Sequence, residues 1–545
     1  MLSFDHLVYP SRFYPIFMPL ILKFSSIILI SITLCTTTSY AGGYLHRGNI
    51  GEPDSLDPHL TTSGYAGNII FDMFLGLTTL DAFANIVPGA AKSWTISKDG
   101  KTYIFAIREG MQWSDGRLVT AGDFEYAFRR ILDPLTASRS APMLYAIKNA
   151  RLISGGKLPV DQLGVEALDD FTLEIKLEAP TPFFLELIVH RGFPVPKWTI
   201  EEYGREWTRP ENIVVNGAFI LKQWIPQTSL SLEKNQLFFW NDSVALSGVT
   251  YYTTEDLTSA FNRYRSGELD IIISFPPSQF EWIQQNMARE LRVSQNNGLE
   301  YITFNTLKPP FDDSRVRLAL SMVVDRDLIA ARVMRGGERP AHSIVPEASR
   351  GPYDPALPLY ISMAQAERVT RAKVLLREAG FGPDNPLSLS FRYNTHEVLQ
   401  RVAAAVAAMW DRDLGVSVTL LNSDLNTLNA DLRNGNYEVA RYQWLGEYRD
   451  PSTFLYLLQS DAVGDNHSKY NNSDFDALMN AMYDEPDLDK RFHLMKAAEK
   501  IVMADAPITP ITYYVSKRLV GARIRGFEDN VRGINLSRYV SINDL

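Results

Sequence analysis

A chain of 545 residues has room for two or three separate cores. Its hydrophobic share of 46% and charged share of 21% are those of an ordinary globular protein, which excludes a disordered or wholly membrane-embedded polypeptide. The formal net charge of −9 argues against the basic stripe that a nucleic-acid partner needs.

Residues 1–41 differ from the rest. Ile16 to Cys35 is apolar but broken by Pro19, Lys23, Ser25 and Ser26, a poor permanent membrane span. Read from Met18, Lys23 supplies a positive n-region, Phe24 to Cys35 an apolar h-region, and Ser39-Tyr40-Ala41 a cleavage site. This is the layout of a secretory signal, and the expected location is the periplasm. A retained anchor is the alternative. The single cysteine, Cys35, lies in this segment behind the bulky Leu34, which disfavours a lipid anchor there. The mature chain would then hold no thiol, so large cores must replace disulfides.

The mature chain opens with residues 42–76, where Pro58 in Ser55-Leu56-Asp57-Pro58-His59 ends any strand. Residues 77–197 read as an inserted small domain of short strands. Within it, Thr102 to Ile107 alternate with the period of a strand, between turns at Asp99-Gly100 and Ser114-Asp115-Gly116. Thr120 with Asp123 then predicts a capping-box start to an amphipathic helix. Leu173 to Leu177 alternates again, and Pro180 and Pro182 precede a short helix near Phe183 to Val189. Residues 198–298 alternate strands (Ala218 to Trp224, Ser229 to Leu232, Leu269 to Ser274) with a helix at Leu257 to Ser266, a βαβ pattern. Over 299–514 the helices lengthen: Ser314 to Val324, Asp327 to Arg335, Ala364 to Ala379, His396 to Leu414, Ser473 to Tyr483 and Leu488 to Ala504. Strands at Leu387 to Tyr393 and Val416 to Leu421 form a second βαβ unit. Ile508 to Tyr514 and Lys517 to Val520 read as two strands, and 515–545 returns to the first lobe. Two α/β lobes crossed more than once by the chain imply a cleft between them, where ligands of open α/β sheets bind.

The ordered runs Ser55 to His59, Gln112 to Gly116, Thr120 to Phe124, Leu163 to Leu177, Val195 to Lys197, Asn212 to Phe219, Asn262 to Asp270, Lys308 to Arg317, Asp325 to Ile329 and Glu438 to Arg441 resemble the oligopeptide-binding proteins of solute-binding family 5, over nearly the whole mature chain. The resemblance favours the oligopeptide branch over the dipeptide and nickel branches. It implies an α/β fold, a two-lobed periplasmic binding protein of type II with an additional inserted small domain. It further implies a monomer that closes on short peptides and delivers them to an inner-membrane ABC permease, without a cofactor.

The same resemblance points to the run Glu438 to Asp450. A receptor for many peptide sequences must read the amine, the carboxylate and the main chain. Adding the peptide as an extra strand satisfies its backbone, and an enclosed carboxylate meets the amine through a charge-assisted hydrogen bond. Glu447 matches the family's amine-binding aspartate with one methylene more. Gln443, Trp444 and Leu445 match the strand that pairs with the ligand, with Gly446 a further peptide-binding position, and Thr62, Ser63 and Gly64 match the other pairing edge, Thr62 replacing an acidic residue. Arg433 and Arg441 match arginines of the family's pocket and suit a carboxylate. Two of the family's cationic positions are Met334 and Leu399 here, with Arg332 and Arg335 nearby. Read without the resemblance, Glu447 fits a solvated loop, Trp444 a core residue, either arginine a buried structural pair, and Asp450, before Pro451, a turn.

No P-loop, HExxH or strand-following GxGxxG occurs, so catalysis is not expected. The histidines, among them His59, His190, His342, His396, His467 and His493, show no ligand spacing. Receptors of the same fold for haem, a nickel complex, a dipeptide or a murein peptide are the alternative.

Overall fold

The computed structural model describes residues 42–61, 63–462 and 464–543. Residues 1–41, which the sequence reads as an export signal, and Thr62 lie outside the described residues. Two long strands carry the frame, Leu291–Phe304 and Ile508–Val520, antiparallel to one another. Val439–Leu445, Ser388–Asn394 and Ser417–Ser423 extend the sheet on the side of Leu291–Phe304. On the side of Ile508–Val520 follow Ile271–Ile272, Tyr44–Asn49, Gly248–Thr253, Ser229–Lys234 and Phe219–Ile225. The protein is therefore an α/β fold of two lobes sharing one mixed sheet. The ladder between the two long strands is interrupted between Gln295 and Leu299, which leaves Asn296, Asn297 and Gly298 outside the regular pairing.

Each wing is covered by helices whose apolar stripes match its own core. The helix Glu397–Leu414 buries Leu399, Val402, Ala403, Val406, Met409 and Trp410, the spacing of one helical face. It stops at Gly415, whose φ of 71° suits a residue without a Cβ. Beneath it, Ile302 and Phe304 enter one core while Leu299 and Tyr301 enter another packed by Phe475, Met479, Met495 and Val502. Successive strand residues face opposite sides, so one strand nails two layers together. Each such fully buried side chain contributes about 1.5–3 kcal/mol.

The small four-stranded antiparallel sheet Ala91–Ile96, Thr102–Ile107, Thr172–Lys176, Val165–Asp169 has no core of its own. Its Phe105, Ile107, Leu173 and Ile175 join the cluster of Leu45, Phe74, Phe219 and Val249. The helix Ala121–Leu132 starts with the expected capping box of Thr120 and Asp123. Its Arg130 clamps Asp57 at 2.6 Å, and Asp57 also accepts from Trp207 Nε1 at 3.1 Å. The Ser55–His59 run thus ties the opening segment to the small sheet's helix. His59 is buried against the carbonyl of Phe193, and burial with the nearby Arg130 lowers its pKa to about 4.

The structure departs from the sequence reading in three places. Ile508–Val520 is one strand, not two. Leu291–Phe304 was missed, because the polar run Ser294 to Gly298 hides its alternation. The strand before the helix Leu257–Arg265 is Gly248–Thr253. It and Ile271–Ile272 both run parallel to Tyr44–Asn49, which lies between them, whereas Ser229–Lys234 is antiparallel.

Candidate functional site

The strand Val439–Leu445 has two different edges. Along one, Val439 to Leu445 pair with Leu291–Phe304 at every residue. Along the other, pairing with Ser388–Asn394 ends at Ala440, so from Arg441 to Leu445 this edge has no strand partner among the described residues. Side chains alternate accordingly. Arg441 and Gln443 face a chamber of about 560 Å³ between the lobes. Tyr442 and Trp444 face the opposite way, toward a separate pocket that also holds Arg433 and His467.

Beyond the strand, Gly446 and Glu447 enter a second interlobe chamber of about 380 Å³. Ser63, Gly64, Arg191, Arg449 and Arg532 are among its other walls. The turn that presents Glu447 is held from behind. Gly446 N donates to Asn297 O at 2.7 Å, and Asn297 Nδ2 donates to the carbonyls of Gly446 and Tyr448 at 3.2 and 3.1 Å. Asn297 is itself fixed by Ser349 Oγ at 2.6 Å. A Cβ on Gly446 would stand 2.4 Å from Asn297 Nδ2, so close packing rather than ligand contact explains this glycine. Glu447 N donates to Thr453 Oγ1 at 3.3 Å, and the Glu447 side chain is open to the cleft. Its low-dielectric surroundings raise its pKa against the pull of Arg191.

The remaining candidates separate. Arg441 is buried in a bidentate pair with Glu300 at 2.9 and 3.0 Å and also donates to Asn394, Gln443 and Tyr514. It is a satisfied ion pair at the chamber wall: burial works against its charge, but Glu300 and Tyr514 together outweigh burial and raise its pKa. Arg433 is exposed, and the structure does not bring it to either interlobe chamber. Trp444 packs against Tyr456, and its Nε1 has no partner among the described residues. Leu445 is exposed. Asp450 is buried and bidentate to Arg491 at 2.7 and 2.8 Å while accepting from Ser452, a turn former as expected. Arg335 reaches the larger chamber with Met334 and Leu399. Sequence reasoning missed Asn297, Arg191, Arg449 and Arg532, for none of which the resemblance supplied a role. Among the described residues no cluster of three or more His, Cys, Asp or Glu side chains is arranged to hold a metal.

The interlobe cleft is thus walled by an unpaired strand edge and by a carboxylate open to it. Residues 85–466 match the model for bacterial extracellular solute-binding proteins, family 5. The chain belongs to this family. Members bind solutes rather than transform them, and this one is a transport-type binding protein. It is similar to the periplasmic murein peptide-binding protein MppA of Escherichia coli strain K12, 39% identical over 88% of this chain and 89% of the relative. The periplasmic oligopeptide-binding protein OppA of Salmonella typhimurium strain LT2 is 38% identical over 89% of each. Among solved structures, MppA in its unliganded open form superposes with a TM-score of 0.83 at 37% identity, covering 92% of this chain and 98% of that one.

Proposed function

We propose that this family-5 protein binds short peptides in its interlobe cleft and delivers them, as a periplasmic monomer, to an inner-membrane ABC permease. The observation that carries the reading is the free edge Arg441–Leu445 leading directly to Glu447. A peptide laid along that edge satisfies its backbone by strand addition. Its amine then reaches Glu447, the one carboxylate that lines the smaller chamber among the described residues. Ser63 and Gly64 line the same chamber, and the open Cβ position of Gly64 leaves room for a second backbone. The names of MppA and OppA, a murein-peptide and an oligopeptide receptor, support the same ligand class.

The test is thermal denaturation of the protein with and without a mixture of tripeptides. A ligand bound only by the folded state raises Tm with its concentration. A rise with tripeptides that N-acetylation abolishes is the expected result. A rise with haem or a nickel chelate and none with peptides would overturn the reading.

A further inference from the structure

The charges of the two interlobe chambers are matched differently. In the larger one every cation has a carboxylate: Arg441 has Glu300, Lys517 has Glu338 at 2.5 Å, and Arg335 has Glu281 at 2.5 Å. In the smaller one Arg532 takes both oxygens of Glu186, at 2.7 Å each. Two guanidinium groups are then left over. Arg191 makes one hydrogen bond, from Nε to the thioether of Met143 at 3.3 Å. Arg449 donates from Nε to the carbonyl of Ala348 at 3.1 Å. Neither has a carboxylate within salt-bridge distance among the described residues. Burial lowers the pKa of both, and Glu447 is the acid that acts on Arg191. His190 adds no charge at neutral pH, because burial together with Arg532 and Arg191 lowers its pKa to about 3.

Glu447 cannot neutralise this surplus and the peptide's amine together. Among the described residues three arginines and one glutamate line the chamber. Glu186, already bidentate to Arg532, also accepts from Arg449 N at 3.4 Å and attracts its guanidinium, leaving Arg191 with Glu447 as its one acid. An arriving amine adds one more positive charge in a space from which closure removes water. Desolvated charges need partners, and a guanidinium with free N–H donors suits a carboxylate.

We propose that the smaller chamber selects peptides carrying a carboxylate within two residues of the amine, with Arg191 as the residue that reads it. The inference rests on the peptide-binding reading above. Two sources supply such a group, an acidic second side chain or the terminal carboxylate of a dipeptide.

Calorimetry with four peptides separates them: C-terminally amidated Ala-Glu-Ala against amidated Ala-Gln-Ala, and Ala-Ala against its amide. The expected result is a preference on the order of tenfold for the acid in at least one pair, the strength of a charge-assisted hydrogen bond. Arg191→Gln should erase that preference by weakening the acidic peptide, and the neutral peptide should bind no more weakly than to wild type, because one cation facing its amine is gone. The pair that responds identifies the source. Equal binding within both pairs overturns the proposal. So does an Arg191→Gln protein that weakens acidic and neutral peptides alike, the behaviour of a mere counter-ion to Glu447. Should Arg191→Gln fail to fold, Arg449→Gln joins the wild-type comparison, where the same equality is fatal. Failure of all four peptides to bind wild type would instead sink the peptide-binding reading itself.

Discussion

Replacing Glu447 by Gln keeps the size of the side chain and removes its charge. A charge-assisted hydrogen bond is worth about 1.5–3 kcal/mol net. Two features of the site hold that figure below its upper end. Glu447 is open to the cleft before closure, so solvent screening discounts its attraction. Its raised pKa shows that ionisation already costs energy in the empty protein, a cost that Gln removes. We therefore expect a loss near the middle of the range, about 2 kcal/mol or roughly 30-fold in Kd. The assay is a cycle in calorimetry: wild type and Glu447→Gln, each with Ala-Ala-Ala and N-acetyl-Ala-Ala-Ala. Wild type should lose affinity on acetylation, and the variant should distinguish the two ligands far less. The empty variant should melt no lower than wild type. An equal cost of acetylation in both proteins would refute the assignment of Glu447 to the amine.

Binding should also weaken as pH falls through the raised pKa of Glu447, sooner than an ordinary glutamate would allow, which titration calorimetry across acidic pH can check. His190 gives a stability effect of the acid side. Its folded pKa of about 3 lies below the ordinary value, so the unfolded chain takes up the proton first. Its contribution is present above about pH 6.5 and is lost as pH falls toward 3. His190→Gln should flatten the decline of Tm over that window. Asp450→Asn strands Arg491, buried with it, and should destabilise by about 3–5 kcal/mol in denaturant unfolding. Gly446→Ala must push Asn297 aside, at a cost of about 1–3 kcal/mol, and should weaken peptide binding by displacing Glu447.

What the sequence could reveal depended on how local the signal was. The capping box of Thr120 and Asp123, the glycine stop at Gly415 and the alternation of Thr102 to Ile107 are set by neighbours in the chain, and they stand in the structure as read. Leu291–Phe304 was invisible because its polar middle is stabilised by contacts more than 140 residues away, such as Asn297 with Gly446. The same limit applies to the site. Glu447 and Gln443 could be singled out through a resemblance over a contiguous run. Arg441 could be named, but its commitment to Glu300 is a cross-strand pairing that no sequence spacing displays. That Arg191 and Arg449 have no carboxylate at salt-bridge distance among the described residues is something only assembled coordinates disclose.

The irregular step at Asn296 to Gly298 lies on the strand that braces the edge offered to a guest. It also fastens, through Asn297, the turn that carries Glu447. A joint, a docking rail and an anchor for the reading group are thus machined from one piece of backbone. Any displacement of that strand would therefore be felt at once by the carboxylate it holds in place.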